Sequence, residues 1–271
     1  MKEQFSRQSF LGAATEEKLA RLRIGVCGLG GGGSHIVQQL AHVGVGHHLI
    51  SDPDIAKDVN LNRLIGATVE DVREKRAKTG IAERLVRGLL PEAQIVAIRD
   101  MWQAKADLLR SCHIIFGCLD GYGERAQLEA FCRRFLIPLI DIGMDVHEVG
   151  DGYVISGQVI LSMPGEHCMR CYGFITDAKL EEEARLYGAA GGNPQVVWPN
   201  GVLASTAVGL AVNLICPWNR SIGSTYLEYD GNRHVVTPSN RLLAIEGRPC
   251  RHYCQGDVGD PFFELAGDAA A

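Results

Sequence analysis

A doubly wound α/β fold, with a mostly parallel sheet and an antiparallel extension toward the C-terminus, is what this sequence predicts. Three observations carry the expectation. Through the first 142 residues, apolar runs of strand length alternate with helical spacing, the pattern of right-handed βαβ crossovers packed on both faces of a sheet. Between the first strand and first helix of that series lies a glycine-rich turn, Gly28-Leu-Gly-Gly-Gly-Gly-Ser34, placed where such folds bind anions. From Tyr153 the alternation gives way to strands around one apolar helix, which extends the same sheet with antiparallel strands.

Each element follows from its residues. After a polar N-terminal segment, residues 22–28 form an apolar run ending in glycine, hence a buried strand, and residues 32–43 carry helical spacing. Residues 47–52 read as a second strand, and Pro53, Asp54 and the polar stretch to Arg63 as a loop. Helical spacing runs over 72–89 until Pro91 breaks the chain before a third strand at 93–98. A short helix at 104–110 leads to a strand at 113–117, a helix at 123–135 and a strand at 138–142. The second half reads as a long strand at 153–162, an apolar helix at 203–215 and strands at 224–229 and 234–237. Residues 176–199, with the acidic run Lys179-Leu-Glu-Glu-Glu-Ala and with Gly191-Gly192-Asn193-Pro194, read as a mobile crossover loop over the site. The Ala-rich end at 268–271 is expected to fray.

Apolar residues make up 46% of the 271 and charged residues 22%, a globular balance, and no apolar run is expected to reach the roughly 18 residues of a membrane span. The start, MKEQFSRQSFLG, lacks the apolar core of an export signal, so a cytoplasmic protein is expected. A net charge of -5 without a dense basic block argues against nucleic acid as a partner. The nine cysteines are odd in number and scattered, which favours thiols and metal ligands over a disulfide framework.

The motif Gly28-x-Gly30-x-x-Gly33 offers backbone N–H groups and the positive end of a helix to a phosphate, and small residues let the two approach closely. By itself it fits NAD, FAD, S-adenosylmethionine or ATP. Asp52 ends the second strand where an acid reaches ribose hydroxyls, which suits NAD and ATP equally. The tie breaks downstream, at Asn60, Arg63, Lys75 or Lys78, and Asp120. Hydride transfer leaves a pyrophosphate intact and has no use for such cations. Nucleotidyl transfer builds charge on the α-phosphate and on departing pyrophosphate, where Arg as a fork and Lys as a point charge stabilise the transition state. Asp120 closes the fourth strand, in the crevice where doubly wound folds bind ligands, and its hard oxygens suit Mg²⁺. Asp54 and Asn60 also fit turn and loop roles, and the two lysines share one predicted helical turn. Arg125 suits a structural salt bridge better than a substrate contact.

These residues resemble the ThiF/MoeB/HesA family of E1-like adenylyltransferases, ATP-dependent activators of ubiquitin-like proteins. The resemblance rests on Arg7-Gln8, the glycine turn, Asp52-x-Asp54, Asn60-Leu-Asn-Arg63 with a following Lys, Cys118-Leu-Asp120 and Cys168-Met-Arg-Cys171, in one order over residues 7–171. It implies that Gly28, Gly30 and Gly33 line an ATP site and that Asp52 holds the ribose. It implies that Asn60, Arg63 and Lys78 face the phosphates, that Asp120 holds Mg²⁺, and that Arg7 reaches the site of a partner protomer in a homodimer. Residues 1–271 then form one adenylation domain, with a nucleotide-binding half at 1–150 and, at 151–271, a half that binds a small β-grasp carrier protein and bears the cysteine pairs.

Cys168-x2-Cys171 and Cys250-x3-Cys254 could form a sulfur cage for structural zinc that pins the C-terminal segment onto the domain. The second pair has one residue more than the family's usual spacing, and His252 between its cysteines offers another ligand. The resemblance implies that a thioester-forming cysteine would follow the first pair; no cysteine lies between Cys171 and Cys216, so adenylation without a resident thioester is expected, and Cys27, Cys112, Cys118, Cys132 and Cys216 read as small buried hydrophobes. Two other readings stand beside this one: an NAD(P)-dependent oxidoreductase, and a non-catalytic scaffold for a ubiquitin-like partner.

Overall fold

The structure, a computed structural model, describes residues 3–185, 194–219 and 224–253. The chain opens with a 3-10 helix, Glu3–Leu11, and α1 at Thr15–Arg21. Then come β1 at Arg23–Cys27, α2 at Gly31–Val43, β2 at His47–Ser51, α3 at Val69–Arg73, α4 at Lys78–Leu89 and β3 at Gln94–Ile98. The short α5 at Ala106–Leu109 precedes β4 at Ile114–Gly117, α6 at Tyr122–Arg134 and β5 at Leu139–Val149. The rest comprises β6 at Gly152–Ser162, α7 at Asp177–Arg185, α8 at Val197–Ile215, β7 at Tyr226–Asp230, β8 at Val235–Pro238 and α9 at Arg241–Ile245.

The strands form one sheet in the order β3-β2-β1-β4-β5-β6-β7-β8. Pairings from β3 to β5 are parallel and those from β5 to β8 antiparallel, as the sequence predicts. Because side chains alternate along a strand, Ile24, Val26, Ile114 and Phe116 face the core under α2 and α8. Cys27 and Ile115 face the other core, which α5 and α6 cover with Leu109, Leu128 and Cys132. The chain runs outward from β1 to β3 and then returns to β4 on the other side of β1, so the direction of winding reverses between β1 and β4. That reversal opens a crevice at the carboxyl ends of these two strands.

Three expectations need correction. The helix expected over 72–89 is two helices, because the chain between them is extended. Ala77 bridges Ile55, Arg76 O accepts from Ala56 N at 2.8 Å, and Lys75 turns the chain with φ 52°. The periodicity hides this break because Val72 of α3 and Ile81 of α4 pack on one cluster with Ala56 and Leu64. Part of the expected loop at 176–199 is helical: α7 occupies its start and α8 begins at Val197, while residues 186–193 lie outside the described residues. Finally, α8 is a 19-residue helix long and apolar enough to cross a membrane by length and composition. It is amphipathic in use, burying Leu203, Ala207 and Ala211 against α2 and the sheet. The Ala-rich end at 268–271 also lies outside the described residues.

Candidate functional site

The glycine turn fills the crevice beside β1, and its glycines differ in what they face. Gly28 takes φ +89°, and a Cβ there would meet the Cys118 carbonyl oxygen at 2.3 Å. At Gly33 a Cβ would lie 1.9 Å from the Gly28 carbonyl oxygen, so the first turn of α2 presses directly on the strand end. Gly30, the N-cap of α2, has nothing within 4 Å of such a Cβ. The first and third glycines therefore permit packing. Gly30 alone of the three leaves its backbone open to a ligand, at the positive end of a 13-residue helix.

Asp52 ties this turn to the next. It is 5% exposed; Oδ2 accepts from Leu29 N at 2.7 Å and Oδ1 from Asp54 N at 2.9 Å. Lys78, the first residue of α4, brings Nζ to 2.7 Å from Asp54 Oδ2 and 3.4 Å from Asp52 Oδ1. Lys78 and Asp52 are buried while Asp54 reaches solvent, so an ammonium and two carboxylates line the edge of the glycine turn. Lys75 stands on the exposed turn before α4 and joins no ion pair among the described residues.

Asn60 is buried and its Oδ1 accepts from Lys57 N at 3.0 Å, closing a 3-10 turn. Arg63 is half-buried and donates through Nη1 to Val59 O at 2.6 Å and Asn62 Oδ1 at 3.1 Å. Arg7 is exposed on the N-terminal 3-10 helix, whose Phe5 is buried over Gly44. Asp120 is exposed just past β4. Beyond it Arg125 pairs with the fully buried Asp141, the structural bridge expected of it. Burial pushes the Asp141 carboxyl up and Arg125 opposes that shift.

Three side chains around the crevice escape sequence reasoning. The Glu183 carboxylate of α7 accepts from Tyr122 N at 2.8 Å and Gly123 N at 2.7 Å, capping α6 two residues past Asp120. One turn earlier Lys179 Nζ donates to Phe174 O at 2.8 Å and lies 4.6 Å from the Tyr122 ring centroid. Their i,i+4 spacing marks a common helix face, but nothing local names the partner. Asn200 of α8 packs so closely on α2 that a Cβ at Gly31 would meet its Nδ2 at 2.5 Å. The signal was the surplus of glycines: the phosphate motif needs three, while a Cβ at Gly31 would meet Asn200 of α8 and one at Gly32 would meet Ile142 of β5.

A second constellation lies at the end of the described chain. Cys168, Cys171, Cys250 and His252 place their ligand atoms within 4.8 Å of one another. Cys168 Sγ is 3.7 Å from Cys171 Sγ and from Cys250 Sγ, and His252 Nδ1 is 3.5 and 3.4 Å from the first two sulfurs. A tetrahedron with metal–sulfur bonds of about 2.3 Å and a metal–nitrogen bond of about 2.0 Å has edges of about 3.8 and 3.5 Å. The donor set therefore fits one small tetrahedral ion. Burial raises the Cys168 thiol; burial also pushes Cys250 up, but the amides of Tyr253 and His252 together with hydrogen bonds from the Cys171 and Cys168 thiols outweigh it and hold that thiol low. Cys254, expected in the cage, lies outside the described residues. Cys27, Cys112, Cys132 and Cys216 are buried as expected, and Cys118 is half-buried with its thiol raised by burial.

Fold and crevice together define a doubly wound, Rossmann-like protein with a glycine turn left open at the N-terminus of α2 and a thiol–imidazole cluster on its C-terminal half. Residues 2–243 match the ThiF family, and the chain belongs to it. It is 28% identical over 250 residues to the sulfur carrier protein ThiS adenylyltransferase of Escherichia coli K12, covering 91% of each chain. It is 33% identical over 135 residues to the tRNA threonylcarbamoyladenosine dehydratase of Haemophilus influenzae Rd, 48% of this chain and 51% of that one. Its fold is similar to that of E. coli MccB crystallised with ATP, with a TM-score of 0.69 at 18% identity over 98% of this chain and 75% of that one.

Proposed function

We propose that the protein is an ATP-dependent adenylyltransferase that converts the C-terminal carboxylate of a small ubiquitin-like or sulfur-carrier protein into an acyl adenylate, releasing pyrophosphate. The observation that carries this reading is Lys78, a buried ammonium beside the open Gly30 turn. A cation withdrawn from water gains most when charge develops beside it, as on a departing pyrophosphate. In this reading the turn from Gly28 to Gly33 cradles phosphates, and Asp52 with Asp54 takes the ribose side. Asn60, Arg63 and Lys78 face the phosphates, and Arg7 comes from a second copy in a homodimer. Asp120 would hold Mg²⁺, which neutralises phosphate charge. No general base is required, because the attacking group is already a carboxylate; the site orients and neutralises. Residues 1–150 bind the nucleotide and residues 151–271 the carrier, with zinc in the Cys168–Cys171–Cys250–His252 cluster as a fastening. The thiol-rich composition favours the cytoplasm as its place of action.

The chain's net charge of -5 favours a protein partner over tRNA. The test is ATP–pyrophosphate exchange with a small protein ending in Gly-Gly encoded beside this chain, and with bulk tRNA in parallel. Exchange stimulated by the small protein and lost in Asp120→Ala and Arg63→Ala supports the reading. Exchange that survives both substitutions sinks the site assignment, and stimulation by tRNA alone sinks the substrate class. A thermal shift with NAD and none with ATP·Mg²⁺ would return the turn to an oxidoreductase.

A further inference from the structure

The two arms of the thiol–imidazole cluster are held by more than their ligands. We propose that Arg133, acting with Glu129, is the positioning residue that assembles the Cys168–Cys171 and Cys250–His252 arms before any metal enters. The inference rests on the metal reading above.

Glu129 and Arg133 lie one turn apart on α6, each 1% exposed. Buried opposite charges seldom add stability over an apolar pair of the same size, and these two meet through Ser162, so what they grip matters more than their attraction. Arg133 Nη1 donates to Glu166 O at 2.9 Å and Nη2 to His167 O at 2.7 Å, the two carbonyls just before Cys168. Glu129 Oε1 accepts from Met169 N at 2.8 Å, just after it. Ser162 Oγ joins the two charges, donating to Glu129 at 2.6 Å and accepting from Arg133 Nη2 at 2.9 Å. The backbone on both sides of Cys168 is thus fixed by one buried network. The same guanidinium lies 5.4 Å from the ring centroid of Tyr253, the neighbour of His252. Two further contacts knit the arms without the ligands: the His167 ring bonds the Arg248 carbonyl, and Arg241 Nη1 donates to Gly173 O at 2.7 Å. Partners that orient ligands from behind are worth about 10- to 100-fold in metal affinity.

The test uses the full chain, stripped of metal under reducing conditions and titrated with Zn²⁺ against a colorimetric chelator. Arg133→Met is expected to weaken Zn²⁺ affinity about 10- to 100-fold. Because it leaves Glu129 without a counter-charge, the double variant Glu129→Gln, Arg133→Met is measured beside it. That variant buries no lone charge, keeps the fold by circular dichroism and shows the same loss. Hydrogen exchange over residues 248–253 supplies a readout free of metal: protected in the stripped wild-type chain, and protected in either variant only once Zn²⁺ is added. A double variant within about threefold of wild type, or full exchange of that segment in the stripped wild-type chain, overturns the proposal. A wild-type chain that takes up no Zn²⁺ but keeps the segment protected upholds the pre-assembled arms and retires the metal reading instead.

Discussion

Gly30 and Gly33 belong to one motif, and the structure assigns them opposite tasks that a pair of alanine substitutions separates. At Gly33 a Cβ would sit 1.9 Å from a backbone oxygen that cannot rotate away, so Gly33→Ala must displace α2 from the end of β1. Overpacking of this kind costs about 1–3 kcal/mol. For a chain of this size each kcal/mol lowers Tm by roughly 2–4 °C, so a fall of about 2–12 °C is expected. At Gly30 the added methyl meets nothing within 4 Å, and φ is -73°. Gly30→Ala should therefore melt with the wild type. In the proposed nucleotide site, its methyl would stand where a phosphate oxygen meets the turn. Losing one hydrogen bond to a charged group, about 1.5–3 kcal/mol, weakens ATP·Mg²⁺ binding about 10- to 150-fold. Calorimetric titration with ATP·Mg²⁺ and differential scanning calorimetry measure the two effects on the same preparations. Binding within about threefold of wild type in Gly30→Ala would show that the turn is no phosphate cradle, and an unchanged Tm in Gly33→Ala would refute the close-packing argument.

Lys78→Met strands the buried Asp52 carboxylate, which should cost about 3 kcal/mol of stability in urea unfolding; Lys78→Met with Asp52→Asn should recover most of that stability but not nucleotide binding. Burial pushes His48 from 6.5 down to about 4, so the folded chain keeps it neutral while the unfolded chain takes up a proton. Stability from this group is fully present above about pH 6.5 and is lost as pH falls to 4, a span worth roughly 3 kcal/mol. A His48→Gln chain with the same slope in that window as the wild type would discount this source. The Arg84 guanidinium holds Asp71, 1% exposed at the hub of α3 and α4, well below the usual carboxylate range. Its contribution is present above about pH 4 and lost as pH falls further, so Asp71→Asn should flatten the acid limb of the unfolding curve below pH 4, read by circular dichroism.

The strand positions were legible because parallel central strands are apolar on both faces, so runs such as 22–28 and 113–117 announce themselves without a partner. The far half of β5 was not legible. Residues Asp145 to Val149 include a histidine and a glutamate, and they are a strand only because β6 pairs with them as far as Gly152. The break between α3 and α4 was hidden by an apolar face common to both helices. Its cause is a bridge to Ile55, 22 residues away.

Sequence alone determined the chemistry available in the crevice: a glycine turn after β1, an acid at the end of β2, a lysine after the loop and an acid at the end of β4. Those positions follow from chain order, since each marks the end or start of an element whose local pattern is strong. Tertiary structure decided which groups meet. It brought Lys78 rather than Lys75 to Asp52 and Asp54 and set His252 beside three sulfurs. It also laid Glu183 on the free amides of α6. Such choices depend on contacts between residues 24 to 84 positions apart, and a distance of that length along the chain is fixed by packing alone.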